Sequence, residues 1–125
     1  MRFRGWVRLL SGWIALLTSA LLFAAAQPKT VTVKGDVLDS ACAYTKSLKK
    51  PISPECAKAC AKGGSPLVIL ADDGSIYWPT TDAMPATSQN EKLLPFAAQR
   101  LVASGKVYER GGSRALVIAK VEAEK

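Results

Sequence analysis

The chain has 125 residues, with 17 basic and 10 acidic side chains, three cysteines and no histidine. Without histidine there is no Ser–His–Asp triad and no imidazole base, and the commonest nitrogen ligand for a metal is missing. Three of the seven net positive charges lie in the first eight residues, so the formal charge of +7 overstates how basic the rest is and is not a nucleic-acid footprint by itself.

Residues 1–26 have the layout of an export signal. Arg2, Arg4 and Arg8 form a basic opening, a mostly apolar run extends from Leu9 to Phe23, and Ala24-Ala25-Ala26 supplies small residues for cleavage before Gln27. The alternative, an uncleaved anchor, has only the 18 residues from Leu9 to Ala26. That is short for a hydrocarbon core of about 30 Å, and Ser11, Gly12, Thr18 and Ser19 weaken it further. No cysteine follows the apolar run to carry a lipid. The expectation is cleavage, leaving residues 27–125 as one domain in the periplasm or outside the cell, with membrane contact only if the signal is retained. Those 99 residues carry 14 basic and 10 acidic side chains.

In "TVTVKGDVLD", residues 30–39, Val31, Val33, Gly35 and Val37 alternate with Thr30, Thr32, Lys34 and Asp36. Period two predicts a half-buried strand. A second run, "LVASGKV" at 101–107, places Gly105 at the same inward step as Gly35. Glycine there predicts a bulge or sharp bend in both strands, as a small coiled barrel needs. Between them, Leu67–Leu70 and Ile76–Trp78 flank Asp73-Gly74, a strong hairpin signal. Residues 80–90 have loop composition, and "EKLLPFAAQR" predicts a short helix limited by Pro95. A last hairpin turns at Gly111-Gly112, and Ala115, Val117, Ala119 and Val121 alternate with Leu116 and Ile118. The fold class that follows is mainly β: a five-stranded OB-like barrel, with a short helix between strands 3 and 4 and a cysteine-bearing helical insertion at 40–64 between strands 1 and 2.

The insertion holds every cysteine. Ser53 suits an N-cap, Pro54 the first helical position and Glu55 the positive end of the helix dipole, and Gly63-Gly64 suits the stop. This helix puts Cys56 in its first turn and Cys60 on the same face one turn later; Cys42 arrives from the end of the first strand. Three uses follow. In an oxidising compartment, Cys42 joined to Cys56 or Cys60 makes a disulfide staple with one thiol left over. Three thiolates also suit Cu(I), or Zn²⁺ with Asp39 or Glu55 as an accessory ligand. Thiol redox chemistry is the third use, because a first-turn position and the nearby Lys58 favour a thiolate; the C-x2-C spacing of thioredoxin-like enzymes is absent. Asp72-Asp73 reads as a turn rather than a pair of catalytic carboxylates. The expectation is a non-enzymatic binding or interaction module whose partner is an envelope protein or a small ligand.

The motif V-x-G-x-V-x-D-x-x-C (Val33, Gly35, Val37, Asp39, Cys42) is followed by C-x3-C-x-K-x-G (Cys56, Cys60, Lys62, Gly64). An apolar run with D-D-G, then "KLLPFA", and "VYERGG" with Val107, Tyr108 and Gly111 come after it. Over residues 31–121 this pattern resembles small exported bacterial proteins of unassigned function with an OB-like barrel. The resemblance implies fold and export and supplies no activity. Relatives of that kind often carry a histidine three residues before the C-x3-C, where this chain has Ser53. A further alternative is nucleic-acid binding, with bases stacked on Tyr77, Trp78 and Tyr108 beside Lys106, Arg110 and Arg114; an exported domain rarely meets nucleic acid.

Overall fold

A computed structural model describes residues 27–46 and 53–125; the signal segment 1–26 and residues 47–52 of the insertion lie outside the described residues. In chain order the elements are β1 (Lys29–Asp39), α1 (Ser40–Thr45), α2 (Pro54–Lys62), β2 (Leu67–Ala71), β3 (Ile76–Thr80), α3 (Asn90–Leu93, continued by a 3-10 turn at Leu94–Phe96), β4 (Arg100–Arg110) and β5 (Ser113–Ala123). Among the described residues no helix is long and apolar enough to cross a membrane.

The strands close in the order β1-β2-β3-β5-β4, antiparallel everywhere except the parallel pair β3–β5. From Asp39, the partners run through Leu67, across β3 to Leu116, on to Val107 and back to Lys29, ten residues from the start. That large stagger tilts the strands steeply and leaves an interior narrow enough for side chains to fill. The expected five-stranded OB-like barrel is the observed fold.

Two glycines make this closure feasible. Gly35 pairs with Ala71 of β2 on one side and Leu101 of β4 on the other, at the point where β1 passes from one neighbour to the next. A Cβ there would run into the Leu70 carbonyl. Gly105 adjoins the register shift of the β4–β5 ladder, and a Cβ on it would strike the Val117 carbonyl. The Asp73-Gly74 turn is also as expected: Gly74 has φ 83°, and the Ser75 amide donates to Asp73 Oδ1 at 2.8 Å.

Val33, Val37, Leu67, Ile69, Leu101, Ala103, Val107, Leu116 and Ile118 fill the interior, and Leu93 of α3 plugs it. On β5 the alternation breaks at the bulge. Leu116 and Ile118 face inward, Ala119 is exposed, and Val121 packs against the core opposite Ala103. The extra residue reverses which parity points inward.

Candidate functional site: the three-cysteine segment and the aromatic face

Asp39 ends β1 with only 2% of its surface exposed. Its Oδ1 accepts the Cys42 amide at 3.1 Å, capping α1, and its Oδ2 accepts the Ser65 hydroxyl from beyond α2. The Ser40 amide donates to the Pro66 carbonyl at 2.9 Å. Helix α1 was not expected from the sequence. The signal that marks it is an N-cap residue directly at a strand end, Asp39 before "SACAYT". Both oxygens of Asp39 thus hold the junction of β1, α1 and the α2–β2 link.

Helix α2 follows its caps as expected. Ser53 Oγ accepts the Cys56 amide at 3.2 Å, Pro54 stands in the first turn, and Gly64 at φ 98° takes the chain out of the helix. Its buried face is made of alanines. Ala57 clusters with Ala97 and Ala98, and Ala61 joins the barrel core. Asn90, a residue sequence reasoning missed, clamps the exit of α2. Its side-chain amide donates to the Ser65 carbonyl at 2.9 Å and the Ala61 carbonyl at 3.3 Å, while Oδ1 accepts the Leu67 amide at 2.9 Å.

Cys42 and Cys60 are half-buried and Cys56 is exposed; all three are free thiols, so the expected disulfide is not formed in this structure. Burial pushes the Cys42 thiol above its ordinary range, and the charge of Asp39 and the neighbouring Cys56 add to this. Burial likewise raises Cys60, followed by Asp39, Cys56 and Cys42. Among the described residues no three cysteine or acidic side chains are arranged to hold a metal ion. Glu55 lies exposed in the first turn of α2.

The expected binding residues divide between two faces, because successive strand residues point to opposite sides. Tyr77 turns inward and packs on the barrel core. The Arg114 guanidinium lies 5.7 Å from its ring centre and is held by Glu109 at 3.2 Å and by the Ser75 hydroxyl. Trp78 faces outward. Its ring stacks on Tyr44 of α1 with centroids 5.7 Å apart and planes 25° from parallel, and its indole N–H donates to the Tyr44 hydroxyl at 3.0 Å. Beneath that pair, Leu38, Ala43 and Val68 form a second apolar cluster with Leu70 and Ile76. Helix α1 therefore lies over the outer side of β2–β3, the surface on which OB-folds bind oligonucleotides and oligosaccharides. Tyr44 covers one face of the Trp78 ring.

Lys106, Tyr108 and Arg110 follow one another on the outer side of β4. Tyr108 and Trp78 are both register partners of Ala115, and Lys106 Nζ lies 3.8 Å from an Asp82 carboxylate oxygen. Trp78, Lys106, Tyr108 and Arg110 thus share the outer surface of β3–β5–β4, and Tyr77 does not.

The fold and site define a class: a closed five-stranded OB-like barrel carrying a two-helix, three-thiol insertion. No protein-family model, curated protein or solved structure matches the chain.

Proposed function

We propose that the protein is an exported, non-enzymatic binding module in which the three-cysteine segment staples α1 and α2 to the barrel. The observation that carries this is the junction built on buried Asp39, whose carboxylate accepts the Cys42 amide and the Ser65 hydroxyl while the Ser65 amide donates to the Cys60 carbonyl, so that α1 and α2 meet there with their thiols. Oxidation would join Cys42 to Cys56 or Cys60, with two electrons and two protons passing to a disulfide donor of the envelope. The raised thiol pKa values of Cys42 and Cys60 favour that use over thiol catalysis. A protonated thiol is a poor nucleophile, and a reduced state not stabilised as thiolate leaves its disulfide hard to reduce. Export rests on the basic and apolar start of the chain. The binding surface is the outer face on which Lys106, Tyr108 and Arg110 lie beside Trp78, where the basic groups suit a partner with anionic groups.

A soft-metal site for Cu(I) or Zn²⁺ is the second reading, suggested by three cysteines in one insertion where a staple uses two. It requires deprotonating thiols whose pKa values are raised, so protons compete strongly with the metal. Nucleic-acid binding is the weaker alternative, since Tyr44 already covers one face of the Trp78 ring.

Intact mass of the protein recovered from the cell envelope, under native conditions and then with alkylation before and after reduction, tests the proposal. The staple predicts cleavage before Gln27, one alkylated thiol without reduction and three after it, and a Cys42-linked peptide in the unreduced digest. Three reactive thiols without reduction overturn the staple, and co-purifying metal with three reduced cysteines establishes the metal reading. Full-length chain retained in the membrane overturns cleavage.

A further inference from the structure

The barrel is closed only over part of its height. Strand β3 pairs with β5 from Arg114 to Val117, and beyond that point Ile118–Ala123 pairs with β4 alone. Among the described residues no strand is in register with the other side of this stretch. Ala119, Lys120, Glu122 and Ala123 are exposed, and Val121 is only partly covered, although it packs against the core. An open edge with unpaired N–H and C=O groups is a template for another strand.

The side chains along this edge select the strand that fits. Antiparallel pairing of "AKVEA" with a second copy, centred on Val121, puts Val121 opposite Val121, Lys120 opposite Glu122 and Glu122 opposite Lys120. Directly opposed residues of an antiparallel pair share a face, so both charge pairs form on the outer side while the valines meet on the core side. Within one chain Lys120 and Glu122 already attract, at 2.9 Å, and the two-fold arrangement doubles that pattern across the axis. The second open edge, Lys29–Lys34 of β1, which β2 does not cover, has no such complement. Self-pairing centred on Thr32 opposes Thr30 to Lys34 and adds only lysines.

We propose that the Ile118–Ala123 edge of β5 is an interaction surface for a second copy of this chain, giving a two-fold dimer through a continuous β5–β5 ladder. An isologous contact of this kind closes on itself, whereas pairing β5 with the β1 edge of another molecule would propagate into open chains.

Sedimentation of the purified protein from about 10 µM to about 1 mM, a range suited to a small interface, tests this together with K120E and E122K. Both positions are exposed surface sites, and unchanged thermal unfolding checks that each variant is folded. The wild-type chain should show a monomer–dimer equilibrium, and each single variant should raise the dissociation constant roughly tenfold or more, because two attractive pairs become repulsive. Mixing K120E with E122K restores opposite charges across the axis and should bring association back as a heterodimer; repair of a contact within one chain would not do that. A monomer throughout, a dimer indifferent to both substitutions, or a mixture that stays monomeric overturns the proposal.

Discussion

The barrel buries Leu67, Ile69, Leu101 and Leu116, whereas α1 and α2 bury only alanines, Ala43, Ala57 and Ala61. A fully buried leucine or isoleucine contributes about 1.5–3 kcal/mol, while one methyl group gives about 0.8 kcal/mol. The insertion is held instead by polar fastenings: Asp39 to Cys42 and Ser65, Asn90 to Ala61, Ser65 and Leu67, and the stacked Tyr44–Trp78 pair. A region with so little apolar burial gains most from a covalent link, and the cysteines are found there and nowhere in the barrel strands. The proposed staple would thus act in the least apolar part of the domain.

Substitutions in the two regions should therefore differ in size and in their dependence on redox state. The largest effect belongs to the barrel. Gly105→Val puts a branched side chain against the Val117 backbone and should cost about 3 kcal/mol or more, seen as an equal loss with and without reductant in denaturant titrations. Wild-type stability in this variant would mean that the β4–β5 bulge does not need glycine. Cys42→Ser comes next, with about 3 kcal/mol lost in the oxidised protein and little in the reduced one. An equal loss in both states would make Cys42 a packing residue and remove the staple. Asp39→Asn keeps the shape of the cap but removes its charge, and should cost about 1–2 kcal/mol. Hydrogen exchange should show faster opening in α1 than in β1.

Smaller effects sharpen the same contrast. Tyr44→Ala removes the stacking partner and hydrogen-bond acceptor of Trp78, for a loss of about 1 kcal/mol. Trp6 and Trp13 both precede residue 27, so after cleavage Trp78 alone reports by fluorescence on the seating of α1; an unchanged spectrum would separate α1 from the barrel face. The least change comes from pH. The folded thiols of Cys42 and Cys60 titrate above the ordinary value of 9.0. As pH rises past 9.0 the unfolded chain therefore gives up protons that the folded chain retains, and reduced protein loses stability. Oxidation removes two of the three thiols from this balance, so the alkaline loss should be smaller in the stapled protein; identical alkaline profiles would argue against a disulfide.

The parts legible in the sequence are those governed by neighbours along the chain. Period two marks β1 and β4, the Asp73-Gly74 pair marks the β2–β3 turn, and Ser53, Pro54 and Gly63-Gly64 bound α2, because turn and cap preferences act over a few residues. Gly35 and Gly105 were legible as bends for the same reason, since a missing side chain shows in the sequence itself. The rest depended on contacts between distant segments. That Asp39 ties α1 to the α2–β2 link rests on Ser65, 26 residues away, meeting its second oxygen. That Tyr77 and Trp78 part to opposite faces follows from strand alternation, but only the parallel pairing of β3 with β5 places Arg114 over one ring, and only the return of α1 across β2–β3 sets Tyr44 on the other. The open edge at Ile118–Ala123 exists because β3 ends at Thr80, opposite Val117. Local sequence chooses the elements, while partners, faces and free edges are set by where the closed barrel brings the strands together.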